Sequence, residues 1–150
     1  MAEWGDVQVG APDLATIAEA RMAEDGVVLV GTLRANGWPR ISPVEPLVFD
    51  GRLYLGMMWR SRKAVDLLAD PRCVVHTSVR NRDGTDGDVK IYGEAREVDE
   101  PGERDRYCSA LEKAIGWRPE GDFHLFAVDV TEIGYVAVVD GAHDVRTWHP

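Results

Sequence analysis

The sequence holds little of what would reveal a function at sight. Of its 150 residues only two are cysteines, Cys73 and Cys108. They form no C-x-x-C pair, so neither a zinc knuckle nor a disulfide framework is expected. Cys73 opens the apolar run CVV and reads as a small core residue; Cys108 falls in a helical pattern. No stretch approaches the roughly 18 apolar residues of a membrane span. The start, MAEWGDVQVG, lacks a basic region followed by an apolar run. The expectation is no secretory signal and a soluble, cytoplasmic protein. Positive charge is scarce, with 17 Lys and Arg against 26 Asp and Glu, a formal net charge of −9. Such a chain repels phosphate backbones and anionic membrane surfaces, which argues against nucleic-acid and membrane partners. A G-x-S-x-G elbow, a P-loop and an H-E-x-x-H helix are all missing. Internal repeats, low-complexity tracts and linkers are missing too. An anionic ligand would have to meet positive charge gathered locally.

Apolar residues are plentiful, at 45%. A chain of this length buries roughly two-thirds of its unfolded surface, enough for one core. The expected organisation is a single domain over residues 1–150, with an N-terminal helical segment (1–25) and a barrel with helices (26–150). A first helix is expected over 12–24. Pro12 suits its first position, Asp13 its positive end, and Leu14, Ile17, Ala18 and Met22 share a face; Gly26 can stop it. VVLVGTL, residues 27–33, reads as a strand buried on both faces. Asn36-Gly37 marks a turn. Residues 39–49 read as a second strand, broken by Pro43 and Pro46. Asp50-Gly51 marks a hairpin before a third strand, 52–58. A short amphipathic helix follows Ser61, a plausible N-cap, and ends at Pro71. Further strands are expected over 73–79, 88–98, 123–130 and 134–139, with a charged helix from Pro101 to about Ile115. The hairpin signals occupy the places where crossover helices would sit in a parallel fold. The expected class is therefore mainly β with flanking helices, an antiparallel barrel.

The segment Trp59-Arg60-Ser61-Arg62-Lys63 concentrates three cations and a hydroxyl at a strand end and a helix start. A helix start offers free N–H groups and the positive end of the dipole. Arg62 adds a fork donor and Lys63 a point charge, which together suit a phosphate. The spacing fits a solvated helix start equally well. Asp83, Asp86 and Asp88 do not follow the calcium-loop pattern, because the first ligand position would fall on Val79 or Arg82; a polar hairpin turn is expected. No metal site is expected, and His76 reads as a hydrogen-bonded strand histidine. The acids from Glu94 to Asp105 read as a solvated helix start. No residue pair demands acid–base catalysis, so catalytic residues are left unassigned.

The ordered run GTLRANGWPRISPVEPLVFDGRLYLGMMWRSRKAVDLLADPRCVVHT resembles the core of the pyridoxamine 5′-phosphate oxidase-like family, the FMN-binding split barrels. DGDVKIYGEAREV resembles the family's next strand, and the ending T-W-H-P is similar to small actinobacterial members. The resemblance covers about residues 26–98 firmly. It implies a six-stranded antiparallel split β-barrel, a homodimer with FMN at the subunit interface, and flavin-dependent oxidoreductase chemistry on an unknown small molecule. On this resemblance Arg62 and Lys63 hold the cofactor phosphate and Ser61 assists. Gly56, Met57 and Met58 approach the flavin ring, Ser42 on the matching second strand is expected to bind the cofactor, and Asp88 contacts the ring with Lys90 beside it. Trp59 would cover the flavin and Trp148 would reach across the dimer interface. The chain also departs from the pattern. Arg40 lies one residue early on the second strand, Pro46 stands at a lysine position, and the oxidase's C-terminal Arg-x-His segment is missing. These departures argue against the true oxidase activity. They leave a deazaflavin, coenzyme F420, as the alternative cofactor, and a non-enzymatic flavin or haem binder as the alternative function. Since 150 residues suffice for one barrel but not for a complete interface site, two chains are expected as the functional unit.

Overall fold

Tight glycine turns and proline breaks divide the chain into eight antiparallel strands and four helices. The computed structural model describes residues 1–150. Two helices come first, α1 (Trp4–Gly10) and α2 (Pro12–Asp25). The strands are β1 (Val28–Leu33), β2 (Pro39–Val44), β3 (Pro46–Phe49), β4 (Arg52–Met58), β5 (Arg72–Thr77), β6 (Asp88–Glu97), β7 (Phe123–Val139) and β8 (Ala142–Trp148). Helix α3 (Arg62–Ala69) joins β4 to β5, and α4 (Pro101–Ile115) joins β6 to β7. Hydrogen bonding runs β2-β1-β5-β6-β7-β4-β3, with β8 added to β7.

The class is the expected one, mainly β with flanking helices, but the strand count is eight rather than six. Pro46 splits the stretch 39–49, so β2 pairs with β1 while β3 turns away to pair with β4. A missing N–H makes such a break cheap at a sheet edge. The two strands expected over 123–139 are one 17-residue strand. Its first part pairs with β4 and its last part with β8, while β6 pairs along its middle through a register shift at Tyr92/Gly93. The C-terminal tail, not read as a strand, returns through Asp140-Gly141, both at positive φ (50° and 77°), the same turn chemistry as Asp50-Gly51. Helix α1 was not legible because its 7 residues are too few for a periodic signal. Strand β1 is not buried on both faces: Val28, Val30 and Thr32 face inward, while Leu29 is 43% exposed.

The main core fills the inner face of the sheet with Val28, Val30, Leu53, Leu55, Val75, Ile91 and Phe126, and α1 and α2 close it with Trp4, Val7 and Leu14. A smaller cluster lies on the opposite face of β4 and β7, where α4 inserts Tyr107 and Leu111 against Tyr54, Leu125 and Ala127. Helix α3 buries Ala64 and Leu67 and is tied down by Asp66. The Asp66 carboxylate accepts from Thr32 Oγ1 on β1 at 2.8 Å and from Arg40 Nε on β2 at 2.6 Å. Helix α4 is thus packed on β4 and β7, while α3 is anchored to β1 and β2.

Candidate functional site

Strand β4 ends in a turn that launches α3. Ser61 N–H donates to the Met58 carbonyl at 3.1 Å, and Arg60 takes a left-handed conformation with φ +53°. A non-glycine residue there carries about 1 kcal/mol or more of strain. The turn aims Trp59 back over the strand end. Its indole stacks on His124, with ring centroids 4.4 Å apart and planes 9° from parallel. His124 sits opposite Met57 on β7 and is buried. Its Nδ1 lies 2.9 Å from Glu97 Oε1, while its Nε2 has no partner.

Ser61 precedes α3 in the cap position but does not cap it: its hydroxyl is buried and bonds to nothing. The first-turn N–H groups of α3 thus have no side-chain acceptor. Arg62 and Lys63 follow at once. Most arginines here are committed; Arg21, Arg40, Arg52, Arg80 and Arg146 each pair with a carboxylate. Arg60, Arg62 and Lys63 enter no ion pair, so this helix start holds uncommitted positive charge.

Beside it opens a cleft of about 410 Å³. Gly56, Met57 and Met58 form one wall, the β2–β3 break (Pro43, Val44, Glu45) a second, and the segment from Trp117 to Phe123 a third; Trp59 and Lys63 stand at its mouth. Tyr107 reaches in from α4. A Cβ at position 56 would lie 2.6 Å from Tyr107 Oη, so glycine is what lets the phenol through. Tyr107 is only 3% exposed, yet its hydroxyl faces the cleft with no protein partner, whereas Tyr54 Oη on the same face donates to Glu103 at 2.8 Å. Burial pushes the Tyr107 phenol up to about 12, with the charges of Cys108 and Glu45 adding to the shift.

The cleft thus brings together Gly56, Met57, Met58, Trp59 and Lys63. Ser61 and Arg62 flank Lys63 at the helix start, and Ser42 precedes Pro43 on β2 without lining the cleft. Asp88 and Lys90 lie elsewhere, on the outer face of β6. There Asp88 forms an ion pair with Lys90 and lies 3.4 Å from His76 Nε2 on β5. Trp148 is also apart from the cleft within the chain: half-buried on β8, its indole covers Gly10 at the α1–α2 junction. Sequence reasoning missed Tyr107 and the 117–123 wall. The one available signal was Gly56 itself, an isolated glycine in a strand, which marks a close approach. The outer face also exposes Leu29, Ile41, Tyr92, Val136 and Val145.

Comparison with known proteins places these features in a family setting. The family model described as "Pyridoxamine 5'-phosphate oxidase" matches residues 16–137. A haem-binding protein from Mycobacterium smegmatis is 22% identical, with a TM-score of 0.65 over 87% of this chain. This chain spans 57% of the length of that protein. A nimC/nimA family protein from Clostridium acetobutylicum is 16% identical, with a TM-score of 0.65, covering 89% of this chain and 91% of that one. PhzG from Burkholderia lata, solved with tetrahydrophenazine-1-carboxylic acid, is 14% identical, with a TM-score of 0.61 over 91% of this chain and 88% of its own. At these identities the likeness establishes the fold. No curated protein matches the chain.

Proposed function

Because the chain belongs to the pyridoxamine 5′-phosphate oxidase family, whose model spans residues 16–137, we propose that it is an FMN-binding oxidoreductase acting on a small molecule. The observation that carries this reading is the start of α3. A buried hydroxyl with no partner, Ser61 Oγ, adjoins two cations that no carboxylate neutralises, Arg62 and Lys63. That donor set suits a phosphate monoester: backbone N–H groups, one hydroxyl, a fork and a point charge. The exposed Met58 and the bare backbone of Gly56 offer a flat ring system an apolar surface. Bound flavin supplies hydride or electron transfer, and the protein positions it. Arg40 is engaged by Asp66, so it does not act as the second-strand phosphate ligand of the true oxidase.

A second copy of the chain completes the site in this reading. Families of this fold are commonly dimeric, and the outer face carries the exposed apolar side chains that a partner would cover. Asp88 and Lys90 lie on that face, so their expected role toward the flavin would be exercised on the partner's cofactor.

The test is an absorbance titration of purified protein with FMN, with coenzyme F420 and haem as competitors, and mass spectrometry of whatever copurifies. FMN should bind, and the double variant Arg62→Ala, Lys63→Ala should lose it. Unchanged affinity in the double variant would remove the phosphate assignment. Reduction of bound FMN by NAD(P)H distinguishes an oxidoreductase from a protein that only holds its ligand.

A further inference from the structure

The charge of the cleft changes from one end to the other. Lys63 stands at the α3 end. Glu45, Glu120 and Asp122 line the rest, and none of them enters an ion pair. The same lining carries two indoles, Trp59 and Trp117, exposed at 53% and 54%. One face of Trp59 is occupied by His124, which leaves the other for a ligand. Tyr107 adds a hydrogen-bond donor to the same lining. It is 97% withdrawn from solvent by its 3% exposure, unpaired, and directed through the gap above Gly56 into the same cleft. An unpaired phenol that lines a cleft is a hydrogen-bond donor open to whatever fills that cleft. Its raised titration keeps it protonated, hence a donor, at neutral pH.

We infer that the cleft binds a flat, positively charged, phosphate-free small molecule: a protonated or N-alkylated nitrogen heterocycle bearing a hydrogen-bond acceptor. The ring lies against Trp59 and Trp117, where a cation over an indole face is attracted by the ring quadrupole. The charge faces Glu45, Glu120 and Asp122. The acceptor takes the Tyr107 proton. A second anionic group is rejected, because the three carboxylates repel it and Lys63 is the only cation in the lining. The inference rests on reading this cleft as the ligand site beside the cofactor phosphate, and it fails separately from the flavin assignment.

A matched series tests it: 1-methylquinolinium-3-carboxamide, quinoline-3-carboxamide and quinoline-3-carboxylate. They share size and carbonyl acceptor and differ in charge. Binding is read by quenching of tryptophan fluorescence, with and without saturating FMN. The cation should bind at least about tenfold tighter than the anion, the scale of one cation–π contact with its charge partners. Replacing the rim together (Glu45→Gln, Glu120→Gln, Asp122→Asn) should bring cation and anion within about twofold and leave FMN affinity intact. Tyr107→Phe should weaken all three probes by a similar factor. A thermal melt checks that each variant is folded; Tyr107→Phe keeps the ring and its packing. Equal or tighter binding of the anion overturns the inference, and so does a charge preference that survives the rim variant. Loss of FMN binding with the probe order intact overturns only the cofactor reading.

Discussion

Helix α4 begins as most helices begin, and helix α3 does not. At α4 the Glu100 carboxylate accepts from the N–H groups of Gly102 and Glu103, at 2.8 and 2.5 Å, with Pro101 in the first turn. Those bonds hold the Glu100 carboxyl below the usual range. The free donors and the positive dipole end are both satisfied within the chain. At α3 the hydroxyl in the cap position makes no bond, no acid occupies the first turn, and two cations stand where the dipole disfavours them. A sequence optimised only for stability would place an acid there. The difference between the two helices is that α4 is capped within the chain, while α3 leaves its first N–H groups without a side-chain acceptor, where the proposed phosphate would sit. Local rules are broken where function needs it, and the surrounding structure offsets the cost.

Four experiments would break or sharpen that contrast. The largest effect is expected from Arg62→Ala with Lys63→Ala, which should lower FMN affinity by about a hundredfold or more, two charge-assisted contacts being lost. The same titration on Glu100→Ala should show no change. Next is the anchor of α3. Asp66→Ala leaves Arg40 without its carboxylate in a largely buried place and should cost about 3 kcal/mol in urea unfolding, with FMN affinity falling as the helix start loses its position. Third is the cap of α4: Glu100→Ala should lower the melting temperature by about 3–5 °C. The smallest change is Ser61→Ala. Its hydroxyl has no partner, so stability should move by less than about 0.5 kcal/mol, while FMN binding weakens. A clear loss of stability without loss of binding would make Ser61 an ordinary structural residue.

The face under α4 adds a dependence on pH. Folding raises Tyr107 from 10.0 to about 12, and Cys73 in the main core from 9.0 to about 12, chiefly by burial. A raised pKa means that the folded state holds its proton while the unfolded state has lost it. The stabilisation is full below about pH 9 and is lost progressively as pH rises to 12. Urea midpoints measured from pH 8 to 11 should fall, and Tyr107→Phe should flatten the fall above pH 10 where the protein remains folded. A midpoint independent of pH in that range would contradict the burial of both groups.

How much of this was legible before the structure depends on whether a feature is local. The Asp50-Gly51 hairpin, the α2 start at Pro12 and the α4 start at Pro101 are set by residues within a few positions of each other, and the structure has them. Residues 59–63 were legible as a charge concentration for the same reason. What escaped involves distance. The split of 39–49 follows from β3 finding β4 instead of β1. The union of 123–139 follows from three different neighbours along one strand. Tyr107 and Gly56 are 51 residues apart and meet only because α4 crosses the outer face of β4.

The amino-acid sequence by itself determined the turns, the helix starts and the place where positive charge gathers in an acidic chain, because dihedral preferences and charge are properties of neighbouring residues. Only the tertiary structure decided which of those charges stay uncommitted, since a salt bridge such as Arg40–Asp66 requires strands and helices to be brought together first. It also decided that the cleft has an acidic rim, two indoles and a buried phenol. A cavity is bounded by side chains from separate elements, and packing alone makes them neighbours.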